Sequence, residues 1–149
     1  MRWLVYVNKR IMDAKAKLMT LLWYRWLFGE MGERCSIAPP FYTIGTHRIK
    51  LGNRVYFGPG CRVEALYAME SPDREPIIVV GDRAEIGHRV VISAMNRVEI
   101  GPETLIASGC YIGDCNHSVD PEGPAYKDQR MIGSQTIIGR SVWIGQNVS

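Results

Sequence analysis

The sequence predicts an all-β solenoid preceded by an α-helix. Three observations carry this. From Leu51 onward a six-residue unit recurs with a large apolar residue first: Leu51, Phe57, Val63, Val80, Ile86, Ile92, Ile100, Ile106, Ile112, Ile138 and Ile144. The next residue is usually glycine, at Gly52, Gly58, Gly81, Gly87, Gly101, Gly113, Gly139 and Gly145, so more than half of the chain's 15 glycines share one phase. The fifth position is small or β-branched, as at Val55, Cys61, Ala84, Val90, Thr104, Cys110, Val142 and Val148. Such units cannot bury an apolar face alone and must stack.

Residues 1–32 come first and hold the helix. Leu4, Val7, Ile11, Ala14, Leu18, Leu21 and Leu22 recur at helical spacing, and Gly29 and Gly32 supply a stop. It is too charged to span a membrane, which needs roughly 18 or more uncharged residues. Arg2, Lys9, Arg10, Lys15, Lys17 and Arg25 against Asp13 give residues 1–29 a net charge of +5, with Trp3, Trp23, Trp26 and Phe28 among them. That composition suits a helix lying on an anionic membrane through residues 1–28. Packing of its apolar face on the first coil, as a cap, is the competing expectation. Pro39-Pro40 excludes a helix in residues 33–50, which read as an extended connector.

Residues 51–149 are the β-helix. Each unit reads as a short strand and a turn, with the first residue inward and glycine easing the turn. Interruptions near 69–79, 97–99 and 118–137 suggest three units per coil, a triangular prism with all the extra chain leaving one edge. Coils would lie about 4.8 Å apart, the strand-pairing distance. The repeat is still in phase at Ile144–Ser149, so further coils, or another chain over the open end, are expected.

The overall charge of +3 resides in the N-terminal segment, and the body has no basic stripe of the kind that binds nucleic acid. Cys35, Cys61, Cys110 and Cys115 form no CxxC pair. They suit free thiols in a reducing cytoplasm and lack zinc-ligand spacing.

The pattern (L/I/V)-G-x-x-(small/V)-x resembles the hexapeptide-repeat acyltransferases. The segment DCNHSVD, then a polar loop, then TIIGRSVWIGQNVS, looks like their maltose/galactoside O-acetyltransferase branch, and the N-terminal helix is closer to its polysaccharide-modifying members. The resemblance implies a left-handed parallel β-helix, acetyl-CoA as acyl donor, no metal, a homotrimer with sites between prisms, and a sugar or glycan acceptor. Three histidines holding zinc, as in γ-class carbonic anhydrases on this fold, would need a close pair. His47, His88 and His117 have none.

A sugar hydroxyl attacks a thioester poorly until its proton is removed. A neutral imidazole, whose ordinary pKa of about 6.5 lies near working pH, suits that step. His117 stands where the repeat breaks off, beside Asp114 and Asn116, and is the expected base. Asp114 and Asn116 are candidates for holding the acceptor or orienting the imidazole, or for simple turn geometry. Asn96, in the equivalent turn one coil earlier, and Arg89 are further acceptor candidates. The resemblance puts Trp143 and Gln146 beside the acyl-CoA arm. The loop 118–137, with Tyr126 and Lys127, is placed to cover the acceptor. The expected reaction is O-acetylation of a sugar in surface polysaccharide synthesis, on the inner face of the cell membrane. N-acetylation of an amino sugar and a non-catalytic assembly role are the alternatives.

Overall fold

The computed structural model describes residues 2–66 and 75–149. Of the insertion expected near 69–79, residues 69–74 lie outside the described residues. The body is a parallel β-helix of three sheets. The first stacks Glu30–Met31, Ile49–Leu51, Ile78–Val80, Val98–Ile100 and Thr136–Ile138. The second stacks Ser36–Ile37, Tyr56–Phe57, Glu85–Ile86, Leu105–Ile106 and Trp143–Ile144. The third stacks Tyr42–Ile44, Arg62–Ala65, Val91–Ala94 and Tyr111–Gly113.

The inward residues are those that open each unit. Phe57, Val63, Ile86, Ile92 and Ile106 are fully buried and pack in one continuous core. Burying each is worth about 1.5–3 kcal/mol. Register holds this phase from coil to coil, with Leu51 beneath Val80 and Val80 beneath Ile100.

The coils begin earlier than the sequence reading allowed. Residues 33–50 are no connector: Met31 pairs with Leu51, Ile37 with Phe57 and Thr43 with Val63, so a whole coil precedes Leu51. Met31-Gly32-Glu33-Arg34-Cys35 already fits the unit. Pro39-Pro40 and Thr43 hide the two units that follow.

Glycine at the second position acts by closeness rather than by turning. A Cβ at Gly87 would lie 2.7 Å from Ser108 N and 2.9 Å from Ala107 C, backbone of the next coil. The turn is made at the fourth position. Arg34, Arg54, Arg83, Arg89, Glu103, Ser141 and Asn147 all sit there with φ between 54° and 62°. A left-handed conformation costs a non-glycine residue about 1–2 kcal/mol. From Arg54 onward each offsets part of that by donating its N–H to the preceding coil, as Arg83 does to Asn53 O at 2.8 Å and Glu103 to Asp82 O at 2.8 Å.

The fifth position explains three of the cysteines. Cys35, Cys61 and Cys110 are buried and free, and their thiols donate to Gly52 O, Gly87 O and Gly145 O at 3.1, 3.0 and 2.9 Å. Thr104 Oγ1 does the same to Gly139 O at 2.8 Å. At these four corners a small donor therefore ties the turn to the coil above.

The N-terminal helix runs Arg2–Met19, widens through a π turn at Thr20–Tyr24 and ends at Arg25–Leu27. It caps the first coil, but not with the stripe read from the sequence. Ala16, Thr20, Tyr24 and Phe28 face the body, while Ile11, Leu18, Leu21 and Leu22 are exposed. The capping face is chosen by specific partners. Ser36–Ile37 is an edge strand, and Thr20 Oγ1 accepts the Ile37 N–H at 2.8 Å while donating to Ala16 O. Tyr24 stacks edge-on to Phe41, which does the same to Phe57, each at 5.5 Å. No described helix is long and apolar enough to cross a membrane.

Candidate active site

Two corners of the prism keep a constant length, and the third, between the third and first sheets, does not. There the chain leaves after Gly113. Cys115–His117 runs outward and returns as Met131–Gly133, with Asn116 opposite Ile132 and His117 opposite Met131. This is the single antiparallel pairing among the described residues. Thr136 Oγ1 closes the base by donating to Gly113 O at 2.8 Å. The far end is braced by Gln129, which accepts Asp120 N–H and donates to Asp120 O and Pro124 O.

His117 is half-buried on the outgoing strand. Its ring lies 4.9 Å from that of Tyr126, tilted by 43°. Its Nδ1 is shielded from solvent and has no hydrogen-bond partner in the chain. The imidazole thus rests against an aromatic ring, and among the described residues no carboxylate is bonded to it. No sequence pattern signals this contact, because Tyr126 arrives from across the loop.

Asp114 is buried, at the foot of the hairpin, and lines the groove there. Its carboxylate accepts the backbone N–H of Met95 at 2.7 Å, Asn96 at 2.6 Å and Arg97 at 2.5 Å. With three donors converging, the carboxylate is an anchor for the turn one coil below, the turn-geometry role that was one of the alternatives for this residue. Asn116 is exposed, and its Oδ1 accepts the His117 N–H at 2.9 Å. Alternation along the strand puts Asn116 and His117 side chains on opposite faces, so Asn116 does not orient the ring. It lines an open groove of about 570 Å³ at the hairpin's foot, with Cys115, Ile132, Ser134 and Thr136. Cys115 beside it is pushed up to about 11, by burial first and by the neighbouring Asp114 carboxylate second.

Asn96 is exposed on the same edge, in the turn that Asp114 holds. Arg89 is elsewhere. It makes the turn between the second and third sheets, at φ 54°, one corner away from His117. Gln146 lies in the equivalent turn at that corner. Trp143 is 76% exposed on the second sheet, paired with Leu105 on the coil below. Within one chain, then, His117 and Asn96 share an edge, while Arg89, Trp143 and Gln146 are not brought to it. Among the described residues no group of three His, Cys, Asp or Glu gathers as a metal site.

The chain is 28% identical over 168 residues to a probable acetyltransferase of Mycobacterium tuberculosis, covering 95% of this chain and 54% of that protein. It is 30% identical over 140 residues to a putative lipopolysaccharide biosynthesis O-acetyl transferase of Escherichia coli, WbbJ, covering 89% of this chain and 64% of that protein. The chain thus spans between about half and two thirds of the length of the curated relatives it matches. No protein-family model and no solved structure gives a significant match.

Proposed function

We propose that the chain is an acetyltransferase that moves the acetyl group of acetyl-CoA to a sugar hydroxyl, with His117 as general base. The observation that carries this is the half-buried imidazole with an unpartnered Nδ1, mounted where the coil opens into a hairpin. Both relatives are named as acetyltransferases, and one is named for lipopolysaccharide biosynthesis. The scaffold is proposed to be the left-handed form of the hexapeptide β-helix, with residues 51–149 as its catalytic domain.

The neutral imidazole takes the proton of the hydroxyl as its oxygen attacks the thioester carbonyl. A tetrahedral oxyanion forms, for which a backbone N–H is the simplest donor. The C–S bond breaks, the imidazolium returns the proton to sulfur, and CoA leaves as the free thiol. No covalent enzyme intermediate is needed.

Because Trp143 and Gln146 lie on another face from His117, a complete site on this reading uses two chains. A homotrimer, with the Trp143 face of one prism against the His117 edge of the next, supplies that. Asn96, Asp114, Asn116 and Arg89 are the acceptor candidates. The acceptor belongs to a surface glycan or its lipid-linked precursor, and the cationic helix holds the protein on the cytoplasmic membrane face.

Thiol release from acetyl-CoA, measured with matched hydroxyl and amino sugars, tests the reading. Release with hydroxyl acceptors is expected, falling by roughly 10²-fold or more in His117→Ala at unchanged melting temperature. Near wild-type turnover in that variant removes His117 from the chemistry. Release with amino sugars alone makes the protein an N-acetyltransferase.

A further inference from the structure

Between the N-terminal helix and the first two coils lies a cavity of about 540 Å³. Lys17 and Arg25 enter it from the helix, and Arg34 and Arg54 from successive turns at one corner. Leu21 and Met31 give it an apolar side. No carboxylate lines it. Among the described residues none of the four cations lies within ion-pair distance of an acid, although Glu33 and Asn53 flank Arg34 and Arg54 on the outer side. Four positive groups around one concavity that no carboxylate lines are matched by a compact anion.

The surface next to the cavity narrows the choice. Leu21 lines the cavity and also belongs to the outward stripe of Ile11, Leu18, Leu21 and Leu22. Trp23 and Trp26 stand exposed at the same end of the helix. A free phosphate would use the cations and leave this apolar surface bare. A molecule carrying both a phosphate and acyl chains uses both, with the chains and the stripe in one hydrocarbon layer.

We propose that this cavity is a headgroup site for an anionic phospholipid, resting on the membrane-contact reading of the helix given above. The phosphate sits among Lys17, Arg25, Arg34 and Arg54, and the acyl chains follow Leu21 onto the helix's outer face. The site fixes where on the membrane surface the helix lies, which a diffuse positive charge does not.

The test is flotation of the full chain with phosphatidylcholine vesicles, with and without phosphatidylglycerol. Wild type is expected to bind when phosphatidylglycerol is present. Arg34→Glu/Arg54→Glu should weaken that binding by at least roughly 10-fold. Glutamate is tolerated at this turn position, since Glu103 occupies the equivalent place at φ 62°. Lys127→Glu/Arg130→Glu makes the same charge change on the distant hairpin and should cost under about 2-fold. Equal losses from the two pairs would reduce the effect to overall charge and overturn the site. Displacement from vesicles by millimolar inorganic phosphate or CoA would make it a free-anion site and overturn the lipid assignment. Binding that survives the Arg34/Arg54 reversal but is lost in Leu18→Ser/Leu22→Ser overturns the headgroup site and leaves membrane contact standing. No vesicle binding by wild type overturns both.

Discussion

Asp114 Oδ2 accepts the backbone N–H of Asn96 at 2.6 Å, across one coil of the stack. With the N–H groups of Met95 and Arg97 it makes a three-point hold on the turn beside the candidate base. Asp114→Asn turns one acceptor oxygen into an N–H donor facing N–H donors. Hydrogen bonds to a charged group are worth about 1.5–3 kcal/mol, so the variant should lose about 2–3 kcal/mol in urea unfolding. Wild-type stability would show that the carboxylate is not the anchor.

Tyr126 makes a separate prediction, resting on the proposed acetyl transfer. An aromatic contact of this kind is worth about 0.5–1.5 kcal/mol, so Tyr126→Ala should lower kcat/KM by roughly 2- to 10-fold through a looser His117. Tyr126→Phe keeps the ring and should stay near wild type. Equal losses in the two variants would shift the role from the ring to the hydroxyl.

The turn Gly87–Val90 separates two accounts of glycine within four residues. Gly87→Ala puts a methyl group against the backbone of Ala107 and Ser108 and should cost about 1–3 kcal/mol. Arg89→Gly, at the left-handed position, should be within about 0.5 kcal/mol of wild type or more stable, since glycine adopts that conformation freely. The reverse order in chemical unfolding would return the turning role to Gly87.

Much of this was legible in the sequence, and the misses share a cause. The phase of the inward residues can be read because burial selects for side-chain type, and Ile86, Ile92 and Ile106 are where the repeat puts them. The left-handed fourth position cannot, because arginine occupies it in four of the turns and arginine has no preference for that conformation. The capping face is hidden in a similar way: leucines repeat more clearly than Ala16, Thr20, Tyr24 and Phe28, although these have the partners. Of the residues the sequence singles out, His117, Asn96, Asp114 and Asn116 lie at one edge, while Arg89, Trp143 and Gln146 lie elsewhere on the prism. The sequence leaves Asp114 open between chemistry and turn geometry because its three donors come from backbone, which leaves no mark on side-chain pattern.

Acid should expose one more contact. Arg83 first, then Arg140, hold the Glu103 carboxyl down at about 2 from its ordinary 4.5. The unfolded chain therefore takes up this proton before the folded one does. The stability that Glu103 supplies is complete above about pH 4.5 and is lost as pH falls toward 2. Glu103→Gln should show a shallower fall in melting temperature across that window. Asp82, lowered by its bonds from Asn53, leaves a residual slope. Parallel curves for wild type and variant would mean the two arginines do not favour the charged form.

The uneven corner has a consequence for how such a protein acquires new specificity. Long segments leave between Leu51 and Val80 and again between Ile100 and Ile138, yet each pair sits in register as if nothing intervened. Loop length and stacking are independent variables here, and closing a longer loop adds only about 0.6 kcal/mol per doubling. The edge works as a cassette port. On the proposed function, a hairpin exchanged between two proteins of this architecture, cut after Asp114 and before Thr136, would change what is recognised while the anchor on Met95–Arg97 and the rungs of the stack stay where they were.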